Sequence, residues 1–430
     1  MHFHGNRKEM PPFTIAIRAL LSLALLFPSI LISPKSEAQQ ITPVDPPKQF
    51  DRPQLGAALA ETTRLIQADL ARMRFEVDGS GLTVAVLDTG LRTTHTDFAG
   101  KVLAQKNFTS DNGGNPDDAS DGNGHGTNVG GIIVANDRHI GIAPKANIIP
   151  LKVLPNNGPG SYQAIEDALK WVRDNNEQYN ITVVNMSLGD SGNYRNDDFP
   201  DLAALKNVIA ELRTKNIAVV AAAGNDFARH QSKEGMSVPA VFRETVSAGA
   251  VYDSAGQGFQ YPNSGAIAFT TNPDQITPFS QRLHGSTPER ACRTDIFAPG
   301  APVTSSGINT DIGQSIQHGT SQATPVTAGV ILLLQQYFLT TTGQLPTVDD
   351  LERWLFLGGV TIKDEDPGDK LDNVKNTGKT FVRLDALGAM MAANRDLQNV
   401  LLLREEPIKE VFEANVNLKE LGAQSIMRLE

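Results

Sequence analysis

The chain predicts an α/β domain built on a doubly wound, mostly parallel sheet with helices on both faces. Three observations carry that prediction. Short apolar runs rich in β-branched residues and alanine recur along the chain, as strands buried on both faces require. Amphipathic helical patterns lie between several of them, which makes the connections right-handed crossovers within one sheet. The 430 residues, 40% of them hydrophobic, suffice to bury one large core or two smaller ones.

The first segment carries His2, His4, Arg7, Lys8 and Arg18, then an apolar stretch over 19–32, then Ser36-Glu37-Ala38. A basic start, an apolar centre and a small-x-small end are the layout of a secretory signal peptide, here over 1–38. Pro28 and a length below the roughly 20 apolar residues of a spanning helix argue against a retained membrane anchor. The expectation is therefore an exported protein with no stable anchor once the peptide is cut near Gln39.

Residues 39–53 are proline-rich and polar and read as an extended linker or short pro-segment. A domain over 54–393 follows, with a charged, amphipathic tail over 394–430. Its opening helix is expected over 54–73, where Leu55, Leu59, Leu65, Ile66, Leu70 and Met73 fall at helical intervals. Strands are expected at 83–87, 147–153, 182–186, 217–223 and 245–251, with the clearest helices at 162–175 and 201–215. The apolar stretch 330–339 is too short to span a membrane and reads as a central helix buried all round. Residues 252–298 are expected to hold an inserted loop.

A net charge of −10, with no clustered Lys and Arg, excludes a phosphate-tracking nucleic-acid binder. Cys292 is the sole cysteine, so no intramolecular disulfide forms, and it is expected to be a small buried residue.

Three glycine-flanked segments carry the chemistry: VAVLDTGL at 84–91, GHGTNVGG at 124–131 and HGTSQATPVTAG at 318–329. Asp, His and Ser in that chain order are one of the known arrangements of a nucleophilic triad. A serine hydroxyl is a poor nucleophile and needs a base; the imidazole needs a carboxylate to hold its tautomer and stabilise its cation. Asp88, His125 and Ser321 fill those roles. Ser321 would open the apolar helix, where free N–H groups and the helix dipole favour negative charge. Asn225, after Gly224 at a strand end, is the candidate second oxyanion donor. Strand ends are where ligands bind on such sheets.

With DTG at Asp88, GHGT at His125, NMSLG at 185–189, AAAGN ending at Asn225 and GTSxATP at Ser321, residues 81–393 resemble the subtilases, the subtilisin-like serine peptidases. The resemblance implies peptide-bond hydrolysis through an acyl-enzyme, with a polypeptide substrate and no cofactor required for the chemistry. It places Ser187, Leu188 and Gly189 on one wall of the specificity pocket and Ala222, Ala223 and Gly224 on the other. It makes residues 154–160, with Gly158 and Gly160, the edge that pairs with an extended substrate. It marks Asp97 as a candidate calcium ligand, although the loop over 135–143 that would complete the site is short. The acidic run Asp111, Asp117, Asp118 and Asp121 reads either as a different ion site or as a solvated loop.

The chain departs from the family at Asn128, usually His, and at Gln322, usually Met. His318 is expected at the rim of the site and His95 in a structural role. Only about 40 residues precede the first strand after Ala38, which is short for a pro-domain. The competing reading is a catalytically silent exported relative that keeps the fold to bind peptides.

Overall fold

Apolar runs that cannot be solvated on either face have one solution, a parallel sheet sandwiched by helices. The computed structural model describes residues 48–50, 59–285, 292–368 and 370–398 and adopts that solution. The expected signal peptide and the tail from 399 onward lie outside the described residues.

In chain order the elements begin with β1 (Lys48–Phe50), α1 (Ala60–Leu65), α2 (Ala68–Phe75), β2 (Thr83–Asp88) and β3 (Lys106–Asn107). Next come α3 (His125–Val134), β4 (Asn147–Lys152), α4 (Tyr162–Tyr179), β5 (Ile181–Met186), α5 (Ala203–Thr214) and β6 (Ala218–Ala222). The chain continues through β7 (Val246–Tyr252), β8 (Gly256–Tyr261), β9 (Ala266–Thr271), β10 (Ile296–Ala301), β11 (Val303–Ser306) and β12 (Gln314–Gln317). It closes with α6 (Thr320–Thr342), α7 (Val348–Gly358), β13 (Val360–Lys363) and β14 (Thr380–Arg383), and residues 386–398 are helical.

The main sheet has the order β13-β14-β10-β7-β6-β5-β2-β4-β3. Every pairing in it is parallel except β13 with β14. From β2 the chain first builds outward through β4, then crosses back to place β5 on the other side of β2. That reversal is the switch point at which doubly wound sheets open a crevice, and Asp88 ends the strand that sits there. Helices α3 and α6 pack against each other and α6 also covers β5, β6, β7 and β10. Residues 320–335 of α6 are all buried, so this long apolar helix is the core of the domain.

Three expectations need correction. The helix expected over 54–73 is broken into α1 and α2, because Gln67 turns into the left-handed region (φ 56°) and its side chain donates to Asp385 at 2.6 Å. The break shifts the helical phase, so Ala68 and Ala71 face the core while Leu70 and Met73 are exposed. Part of the expected linker is a strand, since β1 pairs antiparallel with β12. The expected domain end at 393 falls inside a helix, where Asn394 accepts from Tyr337 and Asp396 accepts from Trp354, each at 2.7 Å. The inserted segment forms a hairpin of β8 and β9.

Candidate active site

Asp88 closes β2 and is fully buried, with its backbone carbonyl accepting from Val153 and Leu154 at 3.0 and 3.1 Å. Its Oδ1 accepts from the Thr89 amide at 2.7 Å and lies 2.7 Å from His125 Nδ1. This fixes the imidazole tautomer: Nδ1 carries the hydrogen and Nε2 is the basic atom. His125 opens α3 and is buried, and Gly124 before it takes the left-handed turn (φ 99°). Gly126 is required by close approach, because a Cβ there would meet the Gly90 carbonyl at 2.2 Å. Burial opposes charging His125, but the charge and hydrogen bond of Asp88, helped by the charge of Asp121, outweigh it and raise the imidazole pKa.

Asp121 is a residue that the sequence placed in an acidic run read either as a different ion site or as a solvated loop. Its Oδ1 accepts from Thr89 Oγ1 and the Asn123 and Gly124 amides at 2.8–2.9 Å. Its Oδ2 accepts from the Thr127 amide and hydroxyl at 2.9 and 2.7 Å. One carboxylate thereby ties the turn after Asp88 to the loop before His125. The legible signal was the Asx-type spacing in DGNGH, with the acid four residues before the base. The rest of the run is used locally: Asp111 pairs with buried Lys152 at 3.2 Å, Asp117 with Lys106, and Asp118 accepts from Ser120. Among the described residues no group of three or more His, Cys, Asp or Glu is arranged to hold a metal ion.

Ser321 is the second residue of α6 and is fully buried. Pro325 lies four residues on and lacks the N–H that would bond the Ser321 carbonyl, and the Ser187 hydroxyl takes its place at 2.7 Å. In return Ser321 Oγ donates to the Ser187 carbonyl at 3.1 Å. Asn225 Oδ1 accepts from the Thr320 amide at 2.8 Å, and the Gly224 amide donates to Thr320 Oγ1 at 3.2 Å. The end of β6 is thus bonded to the entrance of α6. His125 Nε2 and Asn225 Nδ2 are buried without a hydrogen-bond partner among the described residues. Unpaired buried polar atoms call for an explanation; Asp88 Oδ2, His125 Nε2 and Asn225 Nδ2 belong to the candidate site, whereas others, such as Thr182 Oγ1 and Gln335 Oε1, lie outside it.

Leu188 and the residues around it follow β5, while Ala222 closes β6, its parallel neighbour, and Ala223 and Gly224 follow it. Ser237, which the sequence did not point to, joins the two walls: its hydroxyl reaches the Ala222 and Ala223 carbonyls at 3.2 Å, and a Cβ on Gly189 would meet it at 2.6 Å. The 154–160 segment is a loop with Gly158 exposed and Gly160 half-buried. It is tied to the His125 loop through Asn156, whose Oδ1 accepts from Gly122 at 2.8 Å and whose carbonyl accepts from Asn123 at 3.0 Å.

Asp97 does not join this constellation, and its surroundings do not fit a calcium ion. Its Oδ1 accepts from the Arg138 and His139 amides at 2.7 and 3.0 Å, and its Oδ2 from Ser306 Oγ and His139 Nδ1, both at 2.6 Å. Four donors occupy the roughly four lone-pair positions of a carboxylate and leave none for a cation. Burial favours the neutral acid, but the bonds from His139 and Ser306 prevail and hold the Asp97 pKa down at about 2. The short loop over 135–143 therefore supplies a histidine where a calcium site would need oxygen.

His95 is buried, with its Nε2 lying 2.8 Å from the Gly313 carbonyl, in the structural role expected. His318 lies half-buried against Phe259 and Tyr261 of the β8–β9 hairpin, with ring centroids at 4.7 and 5.7 Å. Cys292 is half-buried rather than buried, and burial followed by the nearby Asp197 charge pushes its thiol up to about 11, which leaves it inert at neutral pH.

The model of the subtilase family matches residues 79–354. The chain is 32% identical over 266 residues to the major intracellular serine protease of Bacillus subtilis (strain 168), covering 61% of this chain and 70% of that protein. It is 32% identical over 221 residues to subtilisin DY of Bacillus licheniformis, covering 49% and 73%. It is 33% identical over 274 residues to M-protease of Shouchella clausii (strain KSM-K16), covering 63% and 58%.

Proposed function

The chain belongs to the subtilase family and is a subtilisin-like serine endopeptidase, and from that premise we propose that Asp88, His125 and Ser321 are its triad and Asn225 its oxyanion donor. In this reading Ser321 Oγ attacks the scissile carbonyl carbon while His125 Nε2 takes the hydroxyl proton. Asp88 stabilises the imidazolium that forms. The carbonyl π pair moves onto oxygen, which accepts from Asn225 Nδ2. Collapse breaks the C–N bond, and Nε2 returns the proton to the departing amine. Water then repeats the sequence on the ester and frees Ser321.

The observation that carries the reading is the bonded Asp88–His125 pair with Nε2 and the Asn225 amide both left open. The Ser321 hydroxyl rests on the Ser187 carbonyl and must turn to the base when substrate enters. Such loosened catalytic bonds are common without substrate. Ser187 to Gly189 and Ala222 to Gly224 form the pocket walls, and the 154–160 loop with Gly158 and Gly160 supplies the edge for an extended polypeptide. Small wall residues favour a large uncharged side chain in the pocket. The layout of residues 1–38 supports export, and the relative named intracellular sets the contrary expectation.

A serine-directed phosphonate probe tests the reading. Peptide mapping should place the label on Ser321, and Ser321→Ala should abolish both labelling and turnover, leaving at most a residual of about 10³ to 10⁴ over water. Label at another residue, or a silent protein that binds peptides without being labelled, would overturn it.

A further inference from the structure

The two departures from the family pattern, Asn128 and Gln322, meet in space. Gln322 Nε2 lies 3.4 Å from Asn128 Oδ1 and donates to Gln317 Oε1 at 3.1 Å. Gln317 Nε2 in turn donates to the Gly124 carbonyl at 3.2 Å and to Ser315 Oγ at 3.3 Å. Asn128 Nδ2 donates to the Ser315 carbonyl and hydroxyl at 3.0 and 2.9 Å. All four side chains are at most 4% exposed.

The ends of this network decide its meaning. Gln322 follows Ser321 on α6, Gly124 precedes His125, and Asn128 lies one turn into α3. From the Ser321 backbone, a line of two side-chain amides therefore leads to the backbone of His125. Between the reacting groups themselves no such bond exists at rest, since Ser321 Oγ donates to Ser187 and His125 Nε2 has no partner among the described residues. The separation of nucleophile and base must then be set through their backbones. A thioether at 322 has no N–H and would leave Gln317 Oε1 and Asn128 Oδ1 short of a donor in a buried place, where an unmet polar group is destabilising.

We infer that Gln322, Gln317 and Asn128 form a positioning network that sets the distance between Ser321 and His125, so that the two departures are one matched change. The inference rests on the triad proposed above. The network touches neither substrate nor reacting atoms, so its loss appears in kcat. It carries no charge, so the pH at which His125 titrates stays where it is.

The test is a double-mutant cycle of Gln322→Leu and Gln317→Leu on an ester substrate, with thermal unfolding recorded alongside. Since a misplacement of about 1 Å costs on the order of 10²-fold, each single variant should lose about tenfold to a hundredfold in kcat. KM should change less than about twofold. The double variant should lose no more than the worse single one, because both break the same link. The acid limb of the pH–rate profile should not move. Gln322→Met, close in shape but without a donor, should behave as Gln322→Leu and serves if the leucine variant does not fold. Losses that multiply, losses confined to KM, or folded variants at full rate would overturn the inference while phosphonate labelling of Ser321 stands. An unlabelled Ser321 in the unaltered enzyme would remove the triad and this inference together, and is told apart by the label itself.

Discussion

Among the described residues, two buried Asp–His pairs have nearly the same length, Asp88 with His125 at 2.7 Å and Asp97 with His139 at 2.6 Å. They are finished differently. Asp97 has four protein donors on its two oxygens, including Ser306 from a distant strand. Asp88 Oδ2 and His125 Nε2 have no partner among the described residues. Saturation makes a pair into a structural clamp, because every lone pair is already used. Incompleteness leaves the other pair with acceptor capacity to spare, which is what the proposed base and its orienting acid require.

The sharpest way to break this contrast is to remove the other open group. Asn225→Leu keeps the approximate volume, deletes the Nδ2 donor and also the acceptor that holds the Thr320 amide. Turnover should fall on the order of 10² to 10³-fold, the magnitude measured for the oxyanion asparagine of subtilisin, a member of this family. Substrate KM should change far less, since the donor acts on charge that exists only in the transition state. Steady-state kinetics on a peptide anilide reads both, and an unaltered kcat would remove Asn225 from the mechanism.

A smaller effect is expected from Asp121, which lies near the proposed base without bonding its side chain. Asp121 adds negative charge near His125 and joins its loop to Thr89. The base works only when neutral, so with the imidazole pKa raised, activity appears only as pH climbs through that raised value. Asp121→Asn removes one of the charges that raises it, and the acid limb of kcat/KM should move to lower pH, toward the ordinary imidazole range near 6.5. A limb that stays in place would show that Asp121 acts through loop geometry alone.

Much of this was legible in the sequence, and the failures share a cause. Strand runs such as 147–153 need only local composition to be recognised, and β4 begins at Asn147 and ends one residue short of that range. The segments around Asp88, His125 and Ser321 stood out because the proposed nucleophile, base and acid each need a fixed neighbour set, which leaves a pattern in the chain. Gln67 and Gln317 were not legible, because each takes its meaning from a partner far away in sequence, and of Asp121 only the local Asx-type bonds left a mark in the chain, not its bond to Thr89. Gln67 breaks a helix through Asp385, and Gln317 joins Gly124 to Gln322. The same limit produced the calcium expectation at Asp97: the motif gave the carboxylate but not the donors that His139 and Ser306 bring to it.

The clamp itself gives the prediction with the least effect on catalysis. Asp97→Asn replaces two acceptor oxygens by one oxygen and an NH₂, leaving buried donors unmet at about 1–3 kcal/mol each. The thermal midpoint should fall while kcat of the folded enzyme stays close to that of the unaltered one. Because the folded pKa of Asp97 is depressed to about 2, the stabilisation is present in full above the unfolded value near 3.9 and is lost as pH falls through about 2. The two proteins should therefore converge in stability only in strong acid. If donors already fill the carboxylate, the difference in midpoint between them must be the same in chelator and in millimolar calcium. A difference that widens with calcium would mean that the ion reaches Asp97 and stabilises the folded state by mass action, and the distinction between a saturated and an open pair would then fail at this site.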